Sequence, residues 1–158
     1  MVVKQEISSM KNLFEAATLE ELQERLARLK PDSERQWGKM DPAQMLAHCS
    51  EWMEIAEGVK NPPRSMMGRV FGRFAKSRVL SEQPIARNMP TDSSLIVSDE
   101  REFALERQRL KRRMERFTTA GPEGCTRHPH SFFGAMTPAE WARMAYKHID
   151  HHLRQFGV

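Results

Sequence analysis

Residues 137–158, TPAEWARMAYKHIDHHLRQFGV, decide how this chain is built. Thr137 can cap a helix, Pro138 suits the first helical position, and Glu140 stands where a capping-box side chain reaches back to the cap. Trp141, Met144, Ala145, His148, Ile149, His152 and Phe156 then recur at helical spacing, which predicts one apolar face. His148 and His152, four residues apart, lie on that face. Their spacing brings two imidazoles to where they can grip one metal ion. Gly157 ends the helix. A helix whose histidines point inward needs partners.

Asp41-Pro42-Ala43-Gln44 repeats the same logic of cap, proline and capping-box side chain. It predicts a helix from there to about Val59, with Met45, Trp52, Ile55, Ala56 and Val59 on its apolar stripe and His48 between Met45 and Trp52. Gly58 and Pro62-Pro63 end it. Ahead of it, Thr18-Leu19-Glu20-Glu21 reads as a third capping box, opening a helix with Leu19, Leu22, Leu26 and Leu29 inward that stops near Lys30, before Pro31. Residues 1 to about 17 are weakly patterned. Trp37, in the following loop, is too large to be left exposed without reason.

Downstream, residues 64–80 (RSMMGRVFGRFAKSRVL) predict a short amphipathic helix with Met67, Val70, Phe71 and Phe74 inward. Gly68 and Gly72 weaken it by about 1 kcal/mol each relative to alanine. Pro84, Asn88, Pro90, Asp92 and neighbouring serines argue for a long connection to Ser98. A helix resumes near Asp99 and runs to about Thr119, with Phe103, Leu110, Met114 and Phe117 inward, and Gly121-Pro122 closes it. Residues 123–136 form a loop carrying His128, His130 and Phe132-Phe133. Four principal amphipathic helices and no convincing strand predict an all-α protein. A four-helix bundle with a long crossover between the second and third principal helices buries four such stripes.

Length and composition agree with one domain over residues 1–158: 39% of the chain is hydrophobic. No apolar run approaches the roughly 20 residues of a membrane span, and the N-terminus lacks a signal-peptide core, so we expect a soluble protein with no membrane partner. Two cysteines, Cys49 and Cys125, form no disulfide framework and point to a reducing cytoplasm. The net charge of +4 permits attraction to anions without naming one. Cations gather at Arg64–Arg78 and again at Arg107–Arg116. The second group, with Glu102, Glu106 and Glu115 interleaved, reads as a solvated helix face with i to i+4 pairs. With no recognition motif beside it, nucleic acid is set aside as a partner.

The chemical signal is three inward histidines on two helices: His48, His148 and His152. Three neutral imidazoles can hold a divalent ion and leave positions open for water or substrate. An ion so held keeps its full charge and can acidify a bound water or thiol. The competing reading is a set of hydrogen-bonded core histidines. His151 points about 100° away from His152 and is read as solvent-facing. Asp150 does not supply the glutamate of a His-Glu-x-x-His protease motif. Gln155 returns to the His148 face, either to orient a ligand or to pack. His130 or His128 could reach over the bundle end as an acid or base, although loop histidines are commonly solvated. Cys49 reads as a small hydrophobe, and Trp52 and Trp141 as pocket walls or core.

Two blocks, WGKMDPAQMLAHCSEW (37–52) and HSFFGAMTPAEWARMAYKHIDHHLRQFG (130–157), make the chain resemble the DinB/YfiT-like superfamily of metalloenzymes. The second block is similar to an uncharacterised branch with a His-Pro-Phe-Phe-Gly-like loop followed by His-x-x-His-His-x-x-Gln-Phe-Gly; here Ser131 replaces the proline. The blocks cover under a third of the chain, and their order and spacing are specific. The resemblance implies an up-down-down-up bundle, metal ligands at His48, His148 and His152, and relatives in which a metal-bound low-molecular-weight thiol attacks an electrophile. It also implies a homodimer, for which residues 64–80 offer an apolar stripe. The expectation is a cytoplasmic enzyme, a transferase or hydrolase, using zinc or nickel and a thiol or water on a small-molecule electrophile. The alternative is a non-catalytic metal-stabilised bundle that binds or senses.

Overall fold

Five α-helices carry the regular structure of residues 10–158, which the computed structural model describes. They are α1 (Ala16–Arg28), α2 (Pro42–Ala56), α3 (Met66–Leu80), α4 (Phe103–Ala120) and α5 (Pro138–Gln155), with 3-10 turns at Ser93–Leu95 and Gly121–Gly124. Among the described residues there is no strand, only an isolated bridge between His130 and Gly134. Helix α2 packs most extensively along α4 and also meets α5; α1 lies on α4 and α5, and α3 lies on α5. Leu22, Met45, Met53, Leu110, Met114, Trp141, Ile149 and Leu153 meet in the resulting core.

Local chemistry sets the helix ends. Asp41 accepts from the Gln44 backbone N–H at 2.8 Å while the Gln44 side chain accepts from the Asp41 N–H at 3.0 Å, so the box predicted for α2 forms in full. Thr137 and Glu140 do the same for α5. At α1 the expectation is corrected. The helix begins at Ala16, and Thr18 is buried inside its first turn, donating its hydroxyl to Glu15 Oε2 at 3.3 Å. The cause lies upstream. Asn12 Oδ1 accepts from the Phe14 N–H, and the Leu13 N–H donates to Ala142 O at 3.0 Å, anchoring the chain on α5 before the helix starts. The weak patterning read over residues 1–17 falls partly outside the described residues. Helix α4 begins at Phe103, later than Asp99, because both carboxylate oxygens of Glu102 accept from the Ala104 and Leu105 N–H groups.

Two faces differ from expectation. On α3, Met67, Val70, Phe71 and Phe74 point outward; Phe74 is 89% exposed. Gly68 and Gly72 form the buried face instead, because the loop at Phe132 passes so close that a Cβ on either glycine would overlap the Phe132 carbonyl oxygen. The cations of α4 also depart from a uniformly solvated strip. Arg109 pairs with Glu54 at 2.7 Å and Glu51 at 3.0 Å, and Arg113 pairs with Glu54 at 2.6 Å and also with Glu57, all across to α2. Lys60 joins Glu51 and Glu54. This network clips α2 to α4.

Candidate metal centre

Capping at Asp41 starts α2 about two turns before His48, and capping at Thr137 fixes the register of α5, so His48, His148 and His152 face one point between the two helices. One ring nitrogen from each lies within 4.8 Å of the other two, and all three residues are buried. His48 Nε2 and His148 Nε2 are 3.1 Å apart. Nitrogens around a tetrahedral ion at about 2.0–2.1 Å lie about 3.3 Å apart, close to that separation.

Neighbouring groups set the tautomers. His48 Nδ1–H donates to the Leu95 carbonyl at 2.8 Å, leaving Nε2 as a bare lone pair. His152 Nδ1–H donates to Gln155 Oε1 at 2.9 Å. The amide of Gln155 is oriented in turn by its Nε2–H₂, which donates to Trp37 O at 2.8 Å. His152 therefore also presents Nε2 bare. His148 Nδ1 is buried with no hydrogen-bond partner. With its proton on Nδ1, two lone pairs face each other at 3.1 Å; with the proton on Nε2, the Nδ1 lone pair is stranded. A cation at the shared point removes the facing lone pairs. The donor set fits a divalent metal ion.

Burial keeps these rings neutral. It lowers His48, and it lowers His148 well below the ordinary value, with His152 and His48 adding repulsion. His152 is pushed down to about 3, by burial first and by His48 second. Trp52 stacks on His148 at 5.0 Å between ring centroids and sits 5.8 Å from Trp141. Trp52 walls the group, with Trp141 behind it.

The remaining candidates sort clearly. His130 is largely enclosed, against the expectation of a solvated loop residue: its ring stacks on Phe133 at 4.6 Å and lies 5.5 Å from Trp141. His130 Nδ1 accepts from the Phe132 and Phe133 N–H groups at 3.1 and 3.2 Å, so its ring proton sits on Nε2. Burial pushes its pKa down to about 4. No hydrogen bond among the described residues joins it to the three histidines. His128 is exposed. His151, read as solvent-facing, is half-buried, 5.4 Å from the Trp37 ring and 5.1 Å from His152. Cys49 is fully buried with its thiol on Met45 Sδ, outside the group. Ser131 uses its hydroxyl to donate to Asp92 Oδ2 at 3.1 Å, tying this loop to the crossover.

Sequence reasoning missed three supports. The Leu95 carbonyl, the Trp37 carbonyl and Gly38 position the ring groups, and backbone carbonyls leave no side-chain signature. Gly38, at φ +79°, clears the space that Gln155 Nε2 fills. A cavity of about 730 Å³ lies elsewhere. Arg143, Lys147, Asp150, His151 and Arg154 line it, on the strip of α5 turned away from His148 and His152, so it belongs to a different face.

The fold and site define a helical protein with a buried three-histidine group that could hold a metal ion. The chain belongs to a family described as protein of unknown function (DUF1569), whose model matches residues 8–157. No curated protein and no solved structure matches it.

Proposed function

We propose that this protein is a metal-dependent enzyme in which His48, His148 and His152 hold a divalent ion, zinc or nickel. One observation carries the reading: three neutral, buried imidazoles converge, two of them fixed as Nε2 donors by Leu95 O and Gln155. The proposal extends to a DinB/YfiT-like four-helix bundle, up-down-down-up, made of α1, α2, α4 and α5. The packing among those four helices supports it. When bound, the ion supplies Lewis acidity that lowers the pKa of a thiol or water at neutral pH.

The chain's own residues supply the rest. With no carboxylate in the donor set, the protein leaves the ion's positive charge undiminished. Trp52 holds the His148 ring by stacking and is itself backed by Trp141, which keeps that side apolar. His130, neutral at pH 7 with its proton on Nε2, is the candidate hydrogen-bond donor beside Trp141, able to orient a substrate or water oxygen. The substrate class is a small electrophile, attacked by a low-molecular-weight thiol or by water, in a cytoplasmic setting. A second reading has its own support. All three histidines are at most 9% exposed, as in a metal-stabilised module that binds or senses without catalysis.

Cobalt(II) substitution separates the two. An open site predicts a change in the visible spectrum when a small thiol is added, together with thiol consumption when an electrophile follows. A saturated site predicts a tetrahedral cobalt spectrum that thiol leaves untouched, which would overturn the enzymatic reading.

A further inference from the structure

Helix α3 leaves its apolar side without a partner. Met66, Met67, Val70, Phe71 and Phe74 are 77%, 61%, 70%, 53% and 89% exposed. At 100° per residue these five fall in one arc about 140° wide. The orientation is forced from behind, since only Gly68 and Gly72 let the Phe132 loop pack so closely on the helix. Ser65 caps α3 by accepting from the Gly68 N–H, and Lys76 pairs with Glu140, so the helix is held at both ends with this face outward.

Charge says what covers it. From Gly58 to Ser81 the chain has no aspartate or glutamate. Arg69 and Arg73 border one edge of the apolar arc, and Arg78 falls on the arc itself about one turn beyond Phe74, all three exposed. A second copy docked face to face would set these arginines against their own counterparts, with no acid on the face to relieve them. An apolar arc rimmed by cations, without the length or hydropathy to span, matches a helix lying in the headgroup region of an anionic bilayer. Among the described residues no helix can cross a membrane. The expectation of no membrane partner rested on spanning length, which does not bear on a helix lying flat.

We propose that α3 is a peripheral membrane-docking surface that seats Met67, Val70, Phe71 and Phe74 in the interface of an anionic phospholipid bilayer while Arg69, Arg73 and Arg78 meet its headgroups. Docking this way leaves the three-histidine group free, because the histidines lie on α2 and α5.

The test is co-sedimentation of the full chain with vesicles of equal parts phosphatidylglycerol and phosphatidylcholine, against vesicles of phosphatidylcholine alone. Binding to the anionic vesicles is expected, weakened by salt and much lower on the neutral ones. Phe71→Ser/Phe74→Ser should reduce it by roughly tenfold or more, and Arg69→Gln/Arg73→Gln by about fivefold for each arginine removed. All four side chains are exposed, so circular dichroism should show unchanged helicity in both variants. Three results would overturn the proposal: no binding to anionic vesicles; binding that survives the phenylalanine changes; or a stable wild-type dimer by light scattering that Phe71→Ser/Phe74→Ser converts to monomer.

Discussion

Gln155 shows how much of the candidate site rests on one side chain that is not itself a ligand. Its Oε1 fixes His152, its Nε2 is held by Trp37 O, and Gly38 makes room for it. Gln155→Leu should weaken metal affinity by roughly tenfold to a hundredfold with the fold intact, measured by competition with a chromophoric chelator. Gly38→Ala should weaken it too, since a Cβ there displaces the Gln155 amide and strains a backbone at φ +79°. His130 makes a pH prediction. Burial holds its folded pKa at about 4, against 6.5 ordinarily, so between those values the unfolded chain binds more protons. Stability from this group is therefore full above 6.5 and is lost as the pH falls to about 4, by about 3 kcal/mol. Asparagine can still accept from the Phe132 and Phe133 N–H groups. Denaturant unfolding of His130→Asn from pH 7 to pH 4 should lack that component of the wild-type loss. At this scale the three histidines were legible in the sequence because side-chain spacing carries them. Their positioning carbonyls were not, because any residue at 37 or 95 supplies one.

Helix starts and helix faces were legible to different degrees. The boxes at Asp41 and Thr137 formed as read, because each carries its own reciprocal pair within four residues. Thr18-x-x-Glu21 has the same letters and does not cap, because Asn12 and the Leu13–Ala142 contact fix the chain earlier. Likewise α3 has apolar residues at helical spacing, yet packs through its glycines; periodicity finds the stripe and does not say which side meets the protein. The clip between α2 and α4 is a third case, since local charge interleaving on α4 hid arginines committed to another helix. Glu54, 6% exposed, is its hub. Glu54→Ala leaves Arg109 and Arg113 short of a partner in a partly buried network and should cost about 3 kcal/mol, read from urea unfolding. Substituting the exposed Lys111 should cost less than about 0.5 kcal/mol by the same measurement.

For the whole molecule, four amphipathic stripes carried the helical class and two blocks under a third of the chain long carried the candidate site, while residues 81–98 of the crossover read only as a connection. That crossover nevertheless delivers Leu95 O to His48 and Asp92 to Ser131. Binding that favours the folded chain stabilises it by about 2.7 kcal/mol at a free metal concentration one hundred times Kd. Exhaustive chelation should then lower the melting temperature by about 5–10 °C, with recovery on adding zinc. The most direct measurement is the metal content of protein purified without a metal-binding tag, beside the His148→Ala variant. Close to one divalent ion per chain, lost in the variant while circular dichroism stays helical, is the predicted result. Absence of metal in both, with none taken up from added zinc or nickel, would contradict the account, as would a variant that keeps its full complement.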